Sequence, residues 1–140
     1  MRYLGLDLGT TSLGVAISDK TGLLVSPKTL IKFPREDYQM ALNQLMQIIE
    51  EENIRSVVLG LPKNMDNSLG FAAQRSENFK KMLEEKNITV YLEDERLTTV
   101  EAINIMKNNG MKKINTKNKT DILSAVLILE SFLKRKEHEK

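Results

Sequence analysis

The sequence predicts an α/β fold on a mixed sheet, in a single domain spanning residues 1–140. Three observations predict it. Short, almost wholly apolar runs such as Tyr3-Leu4-Gly5-Leu6-Asp7-Leu8 and Val57-Val58-Leu59-Gly60-Leu61 suit central strands covered on both faces. Between the later runs the hydrophobic period lengthens to that of amphipathic helices. The resulting order, β-β-β-α-β-α-β-α-α, joins its last strands through helices, which calls for parallel pairing by right-handed crossovers.

The first strand is expected over Arg2–Leu8 and the second over Ser12–Ser18, with Gly9-Thr10-Thr11 short enough for a hairpin. A turn at Asp19-Lys20-Thr21-Gly22 leads to a third strand-like segment near Leu23–Phe33, where Pro27 suits an edge strand or a bulge. From Glu36 to Asn53 the residues Tyr38, Ala41, Leu42, Leu45, Ile48 and Ile49 form one apolar helical stripe. Arg55–Leu61 reads as a buried strand stopped by Pro62. A polar loop over Lys63–Asn67 precedes a helix with Ala72, Ser76, Phe79 and Leu83 on one side. Ile88–Glu93 is the fifth strand.

Thr98-Thr99-Val100-Glu101 is a capping box that opens a helix to about Asn108, ended by Asn109-Gly110. The last helix is expected over Lys119–Lys136, burying Ile122, Ala125, Val126, Leu129, Phe132 and Leu133. Its basic end, Lys134-Arg135-Lys136, suits the negative pole of the helix dipole.

Composition narrows the chemistry. There is no Cys, which removes disulfide frameworks and thiolate metal sites. The single His, His138, lies in a charged C-terminal stretch, so a His-dependent triad or a His-rich zinc site is not expected. No apolar stretch reaches the ~18 residues of a membrane span, and no signal-peptide pattern opens the sequence. A cytoplasmic location without membrane partners is the default expectation. With 21 Lys and Arg against 19 Asp and Glu, the net charge of +2 does not by itself argue for nucleic acid. The distribution says more: between Glu101 and Asp121 stand Lys107, Lys112, Lys113, Lys117 and Lys119 and no acid. Such a run is either a solvated loop or an edge that meets phosphates.

Three acids carry the main functional signal. Asp7 ends an apolar strand and opens Asp7-Leu8-Gly9-Thr10-Thr11-Ser12; Glu95 follows another strand; Asp121 stands at the head of the last helix. In open α/β sheets functional groups gather beyond the carboxyl ends of parallel strands, where Asp7 and Glu95 both fall. Carboxylates at close quarters repel, so a cluster either protonates or binds a cation. A hard divalent ion with oxygen ligands, used for phosphate chemistry, is the usual solution. Each acid also has an ordinary reading: a turn-capping Asp7, a Glu95 paired with Arg96, and a first-turn Asp121 favoured by the helix dipole.

The ordered set Asp7-x-Gly9-x4-Gly14, Gly60-Leu61-Pro62-x-Asn64-Met65-Asp66, Asp94-Glu95-Arg96-Leu97-Thr98-Thr99 and Lys119-x-Asp121-x2-Ser124-Ala125-x2-Ile128-Leu129-Glu130 resembles the YqgF family of ribonuclease H-fold proteins. That family is described as Holliday-junction-resolvase-like and as candidate pre-16S rRNA nucleases. The resemblance covers essentially the whole chain. It implies a ribonuclease H-like, five-stranded sheet of order 3-2-1-4-5 with helices on both faces. It also implies a metal-dependent nuclease of ribosome biogenesis, processing the 5′ end of pre-16S rRNA. The catalytic and metal-binding acids map onto Asp7, Glu95 and Asp121, with Asp7 bridging Mg²⁺ or Mn²⁺ ions, two of them in the usual arrangement.

For substrate binding the expected residues are Gly9, Asn64, Arg75, Arg96, Lys117 and Lys119; Arg75 either reaches the catalytic edge or stays solvated. In true resolvases the second acid follows the fourth strand, a corner held here by Leu61-Pro62, and this weakens a junction-resolving role. RNA is the favoured partner, structured DNA the alternative, and the assembly a monomer or homodimer. With Phe and Tyr scarce and Trp absent, no aromatic stacking platform is evident. Two other classes compete. Asp7–Ser12 also resembles the first phosphate motif of the actin and sugar-kinase superfamily, whose two-domain members need a much longer chain. A non-catalytic nucleic-acid-binding module would keep the acids without using them.

Overall fold

A computed structural model describes residues 1–62, 70–94 and 116–138; within its last helix, side chains are described from Ile122 to Lys136. The strands are β1 (Tyr3–Leu8), β2 (Ser12–Ser18), β3 (Val25–Lys32), β4 (Ser56–Leu61) and β5 (Thr89–Asp94). The described helices are α1 (Tyr38–Glu51), α2 (Phe71–Glu85) and α3 (Thr116–His138). The helix expected over Thr98–Asn108 lies outside the described residues, as does the lysine run up to Lys113.

The sheet has the order β3-β2-β1-β4-β5. β1 pairs antiparallel with β2 and parallel with β4, and β4 pairs parallel with β5. Alternation along the strands sorts side chains onto two faces. Leu4, Leu6, Leu8, Val15, Val57, Leu59 and Val90 pack with Leu42, Leu45 and Ile49 of α1 and Phe79 and Leu83 of α2. Tyr3, Ala16 and Val58 point the other way and meet Ala125, Val126, Ile128, Leu129 and Phe132 of α3.

Both α1 and α2 stop in the same way. Asn53 (φ 56°) and Asn87 (φ 64°) take the left-handed conformation just past each helix. The N–H of Ile54 then donates to Ile49 O (2.9 Å), and that of Ile88 to Leu83 O (3.2 Å). These are Schellman endings, in which an apolar residue after the turn packs back on the helix and delivers the chain into the next strand.

Three expectations are corrected in detail. β3 starts at Val25, not Leu23: the Asp19 carboxylate accepts the N–H groups of Leu23 (3.1 Å) and Leu24 (3.2 Å), holding both in the turn with exposed side chains. On α2 the buried alanine is Ala73; Ala72 is only half-buried. On α3, Ile128 joins the buried stripe while Ile122 and Leu133 sit at its margins, because the helix covers the sheet with a wider face than one stripe. Pro27 meets both of its expectations, lying on an edge strand opposite a register shift at Val15/Ala16.

α3 lies tight against the sheet at Gly5. A Cβ there would stand 2.6 Å from Ala125 O and 2.7 Å from Leu129 Cβ, so only glycine lets the helix settle on β1. Nearer the start of β1, Tyr3 meets Phe132 edge-on (5.6 Å between rings) and the Lys136 ammonium. From Tyr3 to Gly5 the contacts thus move back along α3, so the helix runs antiparallel to β1.

Candidate active site at the carboxyl edge of the sheet

Asp7 is the fifth residue of β1 and lies half-buried on the α3 face. Its antiparallel neighbour is Gly14. On its other side, one step beyond the Leu6–Leu59 pair, is Gly60. The carboxylate therefore stands between two strand positions that carry no side chain, at the carboxyl edge of the sheet.

The β1–β2 hairpin shapes the edge beside it. Gly9 N–H donates to Ser12 O (2.8 Å), closing the turn. Thr11 O accepts from Phe33 N–H (3.0 Å) and Thr10 O from Glu36 N–H (2.8 Å), tying the loop to the β3–α1 connection. Glu36 takes a left-handed conformation (φ 61°) to make that contact. The residues from Asp7 to Ser12 and Arg75 of α2 line an open cavity of about 290 Å³. Of the expected substrate-binding residues, Gly9 and Arg75 are thus at the same cavity as Asp7.

Asp121 lies on α3 one helical turn before Ala125. Since Ala125 sits over Gly5 and the helix runs back along β1, the turn holding Asp121 is the next one toward Asp7. Lys117 and Lys119 are on the same stretch of helix; the side chains of all three lie outside the described residues. Glu95 and Arg96 follow directly on Asp94, the last residue of β5, and Asn64 belongs to the loop after β4; these too lie outside the described residues. Among the described residues no three metal-ligating side chains cluster, as two of the three expected acids are not among them.

One acid that sequence reasoning did not single out is built into this face. Glu93 pairs with Gly60 across the sheet, level with Asp7, and is 4% exposed. It accepts a hydrogen bond from Ser131 Oγ (2.7 Å) and forms an ion pair with Arg135 through its other oxygen. Burial of a carboxylate requires such partners. Glu93 thereby anchors the end of β5, two residues before Glu95, to the helix that carries Asp121.

The Holliday junction resolvase family model RuvX matches residues 1–135. A protein of Lachnospira eligens named "Putative pre-16S rRNA nuclease" is 39% identical over 139 residues, covering 98% of this chain and 99% of that protein. A Lactobacillus johnsonii protein of the same name is 40% identical over 136 residues, 95% of each chain. Among solved structures, T. thermophilus RuvC in complex with a Holliday junction substrate superposes with a TM-score of 0.61 at 14% identity, covering 97% of this chain and 96% of that one. At that identity the likeness is one of fold, and it is the ribonuclease H-like fold the motifs imply. By the extent of the family match and of the full-length relatives, this chain belongs to the RuvX family.

Proposed function

We propose that this protein is a divalent-metal-dependent nuclease that hydrolyses phosphodiester bonds in RNA, maturing the 5′ end of pre-16S rRNA. The observation that carries the reading is Asp7: a half-buried carboxylate at the carboxyl edge, flanked by Gly14 and Gly60, with the Asp121 turn of α3 leading toward it. The names of full-length relatives supply the substrate.

The residues fit a hard cation. The donor set is carboxylate oxygen throughout, which suits Mg²⁺ or Mn²⁺, and the space beside Asp7 is free of side chains from either neighbouring strand. Asp7, Glu95 and Asp121 would hold the ion or ions. When bound, such ions supply Lewis-acid stabilisation of the phosphoryl oxygens during in-line displacement. The chain's own part is to position. Arg75 offers a guanidinium to a substrate phosphate across the cavity from Asp7, and the braced 9–12 hairpin walls the cavity. Lys117, Lys119 and Arg96 add positive charge for the phosphate backbone, with Gly9 and Asn64 shaping the approach.

The family model's description favours a second reading, junction resolution on DNA. Against it stands the end of β4, where Leu61 is apolar and buried and the strand closes without a carboxylate. Purified protein assayed with Mg²⁺, Mn²⁺ or EDTA on a pre-16S leader RNA, a DNA duplex and a four-way junction separates the readings. Metal-dependent cutting of the RNA is expected. Preferential junction cutting would transfer the assignment to the resolvase reading, and no cutting of any substrate would favour a non-catalytic binding module.

A further inference from the structure

Phe71 is 89% exposed, more than any other large apolar side chain among the described residues. It is the first residue of α2, whose buried side is formed by Ala73, Ser76, Phe79 and Leu83. The fold makes little use of the ring. One turn further on, on the same side of the helix, Arg75 reaches the cavity that Asp7 lines. α2 starts after the carboxyl end of β4 and returns to the amino end of β5, so its first turn stands at the catalytic edge.

We propose that Phe71 and Arg75 form a subsite for an unpaired nucleotide next to the scissile phosphodiester, with Phe71 stacking on the base and Arg75 contacting the adjoining phosphate. This rests on the nuclease reading above and adds the strandedness of the substrate. Every base has a π-face, so stacking on an exposed ring tolerates any sequence, but the base must be free of its own helix. A guanidinium one turn away supplies the charge that holds the backbone in place. The subsite therefore selects a single strand at the cut, and it supplies the aromatic platform that overall composition does not reveal.

The chain contains no Trp, so Phe71→Trp installs one fluorophore at the subsite. Wild type, Phe71→Ala and Phe71→Trp are compared for binding, in EDTA, to a single-stranded 20-nucleotide RNA and to the same strand annealed as a duplex. Phe71→Ala should melt like wild type, since the ring is exposed, and bind the single strand about tenfold more weakly with duplex affinity unchanged. Phe71→Trp should restore binding, with emission quenched by the single strand and not by the duplex. Equal single-strand affinity of Phe71→Ala and wild type, or equal losses for both RNAs, overturns the subsite. A homodimer that Phe71→Ala dissociates also overturns it, by assigning the ring to a subunit contact. Wild-type cleavage, measured with Mg²⁺ on the same strands, is read separately. Cleavage that Phe71→Ala leaves untouched removes the subsite and keeps the nuclease, whereas quenching without wild-type cleavage does the reverse.

Discussion

Gly5 of β1 lies directly beneath Ala125 of α3, so close that a Cβ on Gly5 would stand 2.6 Å from the Ala125 carbonyl oxygen. The obstruction is backbone, which cannot rotate away as a side-chain tip can. Gly5→Ala is therefore expected to lift α3 from the sheet and to cost about 1–3 kcal/mol, the range for overpacked cores. Urea unfolding of the variant checks this. Because the Asp121 turn rides on the same helix, nuclease activity should fall more than stability alone explains.

At Asp7, substitution by Asn keeps shape and hydrogen-bonding capacity while removing the charge a cation needs. Asp7→Asn is expected to fold and to show at least ~100-fold lower metal-dependent cleavage, since Lewis-acid stabilisation is worth several kcal/mol. Circular dichroism with single-turnover cleavage of RNA tests both halves. Wild-type cleavage by this variant would remove Asp7 from the site.

The Glu93–Arg135 pair joins a carboxylate that is 4% exposed to a guanidinium that is 53% exposed. Removing the cation leaves Glu93 buried with Ser131 as its remaining partner among the described residues. Arg135→Ala should destabilise the fold by about 1–2 kcal/mol, below the cost of breaking a fully buried pair because solvent already screens Arg135. Replacing Glu93 by Met in the same background should recover most of the loss. Both differences are read from denaturation midpoints.

Asp19 gives a pH signature. The Thr21 hydroxyl, together with the N–H groups of Leu24, Leu23 and Gly22, holds its carboxyl below the ordinary value of 3.8. The folded state therefore favours the charged form. Its contribution is fully present above the unfolded value and is lost as pH falls through the lower folded one. The stability difference between wild type and Asp19→Ala should be constant at neutral pH and shrink only below about pH 3.8. A difference that shrinks at higher pH would contradict the assigned contacts.

Local pattern was enough for much of this architecture. β2 runs over Ser12–Ser18 as its flanking turns indicate, and the α1 stripe through Ala41, Leu42, Leu45 and Ile49 is buried. Readings failed where a non-local or side-chain contact outweighed periodicity. Leu23 and Leu24 look like strand, yet the Asp19 carboxylate captures their amides. Glu93 looks like one more acid in an acidic run, because its partner Ser131 is 38 residues away in sequence. Asp7 stood out, but its strand neighbours depend on register: Gly14 and Gly60 flank it only once β1 is paired on both sides. Phe71 carried no periodic signal at all, being remote from the buried stripe of its helix.

The hairpin between Asp7 and Ser12 is already held in place by the hydrogen bonds from Phe33 and Glu36 to Thr11 and Thr10. Ordering that loop is a cost met when the chain folds, not when a substrate arrives. A ligand entering the cavity beside Asp7 thus meets a wall in its final shape, and little of its binding energy is diverted into fixing loop conformation. The left-handed strain at Glu36 is the counterpart on the folding side. Relieving it with glycine is expected to raise stability slightly without tightening substrate binding, which would locate the rigidity of this wall in the backbone contacts themselves.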